Sequence, residues 1–237
     1  MDDSEIMRIS LLIRHCAERW ELKRAQQPEA RVSDAEVRLI LDRYRCPVPF
    51  HAVRTQFLGN IASPGLSVQP LETVKALWGG ELPTFDSLDE VNELAATLIM
   101  GLWNQLTRHQ DRRSPFRLLR VDVAVSVEGL ASVARVRSEE VDAFVDGLFG
   151  DAESLDLPER AHRALNVLAD VRAFFQAMQH LAVNPAIETT DEVAKTLVNV
   201  RKLTRVAEHE IHETVLSCTR ARRQILELMT VTKPTIH

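Results

Sequence analysis

Apolar residues recur every three or four positions through most of the chain, and each such run is bounded by a capping or breaking signal. In Ser87–Gln110, Ser87 and Glu90 form a capping box, and Val91, Leu94, Ala95, Leu98, Leu102 and Leu106 follow at helical spacing. Ile99 and Trp103 widen that stripe beyond one face, which predicts a helix covered from several sides at the centre of the protein. Before it the pattern predicts a helix from Ser4 to about Gln26 and a shorter one opened by the Ser33/Glu36 capping box. A third covers Phe50–Ala62, and a short one is led by Pro70 and closed by Gly79-Gly80. After it come a helix over Pro158–Leu181 and a long one, opened by Thr189 and Glu192, that reaches Met229 without Gly or Pro. In the long helix Val193, Leu197, Val200, Thr204, Ala207, Ile211, Thr214, Cys218, Ala221, Ile225 and Leu228 make a heptad seam. Such a helix is roughly 60 Å long, more than the preceding helix can cover, so its far end is expected on the core or on a second chain.

These elements predict an all-α fold: a single multi-helix domain with little or no β structure. Residues 1–46 form a helical pair on the core, 47–187 the core, and 188–237 the long helix and a short tail. Leu119, Val121, Val123, Val125 and Val127 alternate with other residues, a strand-like period. A hairpin with Leu130–Val136 would give them a partner, but extended chain over 119–126 is the preferred reading, because the following segment reads better as helix.

Leu130–Val145 fits a helix-turn-helix template, with Ala131 at the helix crossing and Ala134, Val136, Val141 and Phe144 at the apolar contacts. Charge decides what such a unit would do. Glu139, Glu140, Asp142, Asp146, Asp151, Glu153, Asp156 and Glu159 follow with no basic residue from Ser138 through Glu159. Phosphate neutralisation carries most DNA affinity, so a structural helical hairpin or a protein-binding face is preferred to a nucleic-acid reader. The stretch just before is basic: residues 108–137 hold seven Arg against three acids, and 138–160 hold eight acids against one Arg. This polarity suits a charged protein partner. It marks Glu139, Glu140, Asp142 and Asp146 on one side, and Arg112, Arg113 and Arg117 on the other, as the expected interaction residues.

No catalytic or cofactor chemistry emerges. His209 and His212 in EHEIHE are the close histidine pair, but Glu-x-x-His and HExxH are absent, so a metal-dependent hydrolase is disfavoured. Gly79-Gly80 belongs to no phosphate loop, and Ser114, Ser132 and Ser217 stand in no nucleophile elbow. Cys16, Cys46 and Cys218 are odd in number and widely spaced, which argues against a disulfide framework. The acidic opening MDDSEIMRIS carries no signal-peptide pattern, and no stretch approaches a membrane span. A net charge of −5 over 237 residues agrees with a soluble cytoplasmic protein.

Pro49–Leu106 resembles the bacterial YecA/YgfB family. The residues that carry the resemblance are Pro70, Leu77-Trp78-Gly79-Gly80, Pro83, Phe85 and Trp103-Asn104, and Val141–Glu153 is similar to the family's acidic-aromatic-Gly segment. The resemblance implies an all-helical, often dimeric protein without an established enzymatic activity that acts as an adaptor, a chaperone-like protein or a regulatory binding protein. The Cys-rich metal motif found at the end of many members is not matched by TVTKPTIH after Met229, so metal binding is not carried over. The expected protein is therefore a non-enzymatic interaction module without cofactor, dimeric through its C-terminal helix.

Overall fold

The computed structural model describes residues 31–65, 69–150, 152–183 and 189–231. The helix expected over 4–26 lies outside them. The described residues form helices and loops with no strand: α1 (Asp34–Arg43), α2 (Phe50–Ala62), α3 (Pro70–Ala76), α4, α5 (Val127–Phe149), α6 (Glu159–Val183) and α7 (Thr190–Val231). α4 starts as Leu88–Ala95, is π-helical over Ala96–Trp103, returns to α-helix at Asn104–Thr107 and tightens into a 3-10 turn at Arg108–Gln110.

Local chemistry accounts for most ends. Ser33 accepts from the Glu36 N–H, and the Glu36 carboxylate returns to the Ser33 N–H at 2.7 Å. Thr189 and Glu192 repeat the device at the start of α7. At α4 only half of the expected box forms: Ser87 caps the Glu90 N–H, while the Glu90 carboxylate takes the N–H of Asp86. After α3, Gly79 and Gly80 adopt φ of +77° and +101°, the left-handed region that glycine enters without a Cβ penalty.

The centre of the fold is α2 rather than α4. Nine of the thirteen α2 residues are buried, and α2 and α5 share the most extensive helix contact in the structure. Two glycines make that crossing. A Cβ built on Gly59 would stand 2.2 Å from the Phe144 carbonyl oxygen, and one on Gly147 would stand 2.1 Å from that of Gln56. The backbones meet there without intervening side chains, so Phe57, Leu58, Phe144 and Leu148 are withdrawn completely from water. α4 packs beside this pair through Leu94, Leu98, Leu102, Trp103 and Leu106. Its π-helical stretch, in which the Asn104 N–H reaches the carbonyl of Ile99, changes the angular step of the side chains and explains why the apolar stripe looked too wide for one α-helical face.

The helix-turn-helix reading of 130–145 is corrected. Val127–Phe149 is one unbroken helix. Leu130, Val133, Ala134, Arg137, Val141, Phe144 and Leu148 lie on its buried stripe, and that spacing is continuous through the place where a turn was expected. Arg135 and Ser138 supply no break, and the next Gly inward is Gly147. The expected far end of α7 is also refined. Val193, Leu197, Val200, Ala207, Ile211, Val215 and Cys218 are all buried, because α6 covers the first part of the seam and α2 with the end of α4 cover the next. Arg222 then donates to the Ser63 carbonyl at 3.2 Å, and the seam residues beyond it, Ile225 and Leu228, are exposed. No helix among the described residues is long and apolar enough to cross a membrane.

Candidate functional site

Between α4 and α5 residues 115–124 form neither helix nor strand, and 125–126 bend into α5. A connector outside helix and sheet leaves backbone donors and acceptors to be satisfied. Here buried side chains of two helices do this. Glu140, fully withdrawn from solvent, accepts the Leu119 N–H at 2.9 Å. Arg137, 6% exposed, forms a charge-assisted hydrogen bond to Glu140, donates to the Leu119 carbonyl at 2.7 Å and donates to the Thr204 hydroxyl at 3.2 Å. One residue earlier, Glu208 of α7 accepts the Leu118 N–H at 3.1 Å and pairs with Arg117 at 2.7 Å. Burial pushes the Glu140 carboxyl above the usual range, against the pull of Arg137 and the Leu119 N–H. The connector is thus latched to α5 and α7 by two buried carboxylates and a buried guanidinium.

Beside the latch lies a half-open hollow of about 240 Å³. Val121 and Val123 line it from the connector, Val133 and Arg137 from α5, and Leu197, Val200, Arg201, Thr204, Arg205 and Glu208 from α7. Arg201 and Arg205 are exposed.

The residues expected to form an interaction surface have other duties. Glu140 belongs to no surface, since it is the buried anion of the latch. Glu139 pairs with His51 at 2.6 Å and Arg135 at 3.3 Å, and Asp142 pairs with Arg172. Asp146, Arg112 and Arg113 are exposed, and Arg117 is spent on Glu208. The acidic run therefore does not present one open face: on a helix, consecutive charges point in different directions, and the inward ones found partners across the fold. Arg137, Glu208, Arg201 and Arg205 were not singled out by sequence reasoning. The available signal was the position of Arg137 and Glu140, three apart, on an otherwise apolar stripe; such charges are buried only when paired.

His209 and His212 do not converge. The His209 side chain is largely exposed, whereas His212 is buried with both ring nitrogens unpartnered among the described residues. Glu210 and Glu213 are engaged by Arg160 at 2.7 and 3.4 Å. The described residues hold no cluster of three or more metal-ligating side chains.

Another histidine couples this region to pH. His109, at the end of α4, is 6% exposed; its ring Nδ1 lies 2.7 Å from the Ser114 carbonyl and its face meets Phe116. Burial pushes its pKa down to about 4, with the charges of Arg108 and Arg54 acting in the same direction and the Ser114 carbonyl opposing. Above the unfolded value of about 6.5 the ring is neutral in both states and contributes nothing to pH dependence. Below it the unfolded chain takes the proton first, so stability falls as pH falls, and the loss is complete below about 4. The full shift corresponds to about 3 kcal/mol, or roughly 2 kcal/mol after allowing for solvent screening. His109→Asn, which keeps a donor for Ser114, is expected to remove this increment. Urea denaturation at pH 7.5 and pH 5, which covers only part of the interval from 6.5 to 4, should show the wild type losing roughly 1 kcal/mol more than the variant; parallel losses would place the histidine in water.

Compared with known proteins, the chain matches no family profile, no curated sequence and no solved structure.

Proposed function

We propose that this is a non-enzymatic, cytoplasmic protein-interaction module whose partner docks along the outer edge of the 120–125 connector. The observation that supports this reading is a connector outside any helix that is held from within. Leu118 and Leu119 are bonded to Glu208, Glu140 and Arg137, whereas the backbone groups of 120–123 meet no hydrogen-bond partner among the described residues. Arg120, Asp122, Ala124 and Val125 are exposed. A row of open donors and acceptors beside a fixed scaffold is the feature to which an extended peptide adds as a strand. The likeness of Pro49–Leu106 to the YecA/YgfB family points the same way, towards an adaptor or regulatory binding protein that pairs with a second copy through α7.

A photo-crosslinking residue placed at 122 or 124 in cells is expected to trap a defined partner, and the same residue at 81 to trap none. Asp122→Pro removes one edge N–H and is expected to abolish the crosslink from 124 while leaving the melting temperature within about 2 °C of wild type, as for a surface change of about 0.5 kcal/mol. Equal crosslinking from 81 and 124, or no effect of the proline in a folded variant, would end this reading.

A further inference from the structure

The hollow on the inner side of the connector has its own chemistry. One part of its wall is aliphatic, with Val121, Val123, Val133, Leu197 and Val200 contributed by three different elements, and the rest is polar. Most polar groups around it are already committed. Arg137 bonds to Glu140, Leu119 and Thr204; Glu208 holds Arg117 and Leu118; and the Thr204 hydroxyl donates to the Val200 carbonyl at 2.8 Å. Arg201 and Arg205 are different. They line the same hollow one turn apart on α7, both exposed, and neither forms an ion pair with a described residue. Side chains at this spacing are neighbours on a helix surface, about 5–6 Å apart at Cβ.

We infer that the hollow is a binding site for a small aliphatic carboxylate, with its hydrocarbon against the valines and Leu197 and its two oxygens on Arg201 and Arg205. Size, wall chemistry and charge each point to this class. A space of about 240 Å³ lies below the range of roughly 300–1,000 Å³ that holds drug-sized ligands, so the guest is small. Aliphatic walls return free energy only for a hydrocarbon body. Two uncommitted guanidinium groups select an anion, and the charge-assisted bonds that arginine makes to carboxylate oxygens are the strong kind. The proposal goes beyond the protein-interaction reading and does not depend on it, since a partner would meet the outer edge of the connector and the guest its inner side.

Titration calorimetry with octanoate, below the concentration at which it self-associates, is expected to show saturable binding of one molecule per chain. Acetate, which lacks the hydrocarbon, and 1-octanol, which lacks the charge, are each expected to bind at least tenfold more weakly. Arg201→Gln/Arg205→Gln is expected to weaken octanoate at least tenfold without changing the circular dichroism. Val123→Phe, which fills the hollow from the connector, is expected to block octanoate with both arginines present. Methyl resonances of Val121, Val133 and Leu197 should shift on binding. Absence of saturable binding, affinity unchanged in the folded double variant, equal affinity for acetate, or shifts confined to other methyl groups would each overturn the assignment.

Discussion

Arg137→Met is expected to lower the stability of the protein by about 3–5 kcal/mol, the usual cost of breaking a buried ion pair by removing one partner. The loss arises less from the missing attraction than from what stays behind. Glu140 is completely buried, so without the guanidinium it must keep an uncompensated charge or take up a proton. The Leu119 carbonyl also loses its donor. At roughly 2–4 °C per kcal/mol for a chain of this size, the melting temperature should fall by about 6–20 °C. Arg137→Met/Glu140→Leu removes both charges and is expected to recover only part of the loss, because the N–H and carbonyl of Leu119 then both lack partners at about 1–3 kcal/mol each. The cycle built from these variants and Glu140→Leu should give a coupling energy well above 1 kcal/mol. A single variant that melts within a degree or two of wild type would show that the connector is not latched by this pair.

Gly59→Ala is expected to destabilise, against the helix propensity that favours alanine by about 1 kcal/mol. The new Cβ would fall 2.2 Å from the Phe144 oxygen and 2.7 Å from the Leu148 nitrogen. Both are backbone atoms, so relief requires the helices to separate. Overpacking of this kind costs about 1–3 kcal/mol or more. Gly147→Ala strikes the same crossing from the other side, 2.1 Å from the Gln56 oxygen. Once one methyl has moved the helices apart, the second meets less resistance, so the double variant should lose less than the sum of the singles. Urea midpoints of the three variants measure this directly, and a Gly59→Ala protein as stable as wild type would mean that the α2–α5 contact is looser than described.

Element positions were legible to the extent that local rules set them. The Ser33 and Thr189 boxes, the Pro70 start, the Gly79-Gly80 stop and the α2 limits each follow from residues within a few positions of one another. The role of the 130–149 segment was not legible, because a helix-turn-helix and one long helix share the same apolar positions over this span. What separates them is whether Arg137 faces a buried carboxylate, which is a property of the packed chain. The acidic run misled for a related reason: sequence shows the sign of a charge but not its partner, and His51, Arg172 and Leu119 lie 88, 30 and 21 positions from the acids they hold. Arg201 and Arg205 passed unnoticed because two arginines on a long polar helix resemble any solvated face until a hollow is found beside them.

By itself the sequence determined that this protein is helical, where most of its helices start and stop, and which side of each is apolar, because capping bonds and a 3.6-residue period act over short distances. Only the tertiary structure decided that α2 rather than α4 lies at the centre, that the connector is clasped by Glu140, Arg137 and Glu208, and that two arginines without an ion-pair partner among the described residues stand beside a partly aliphatic hollow. Those outcomes depend on which distant groups meet when the helices pack, and a buried charge or a glycine crossing acquires its energy from the group it meets.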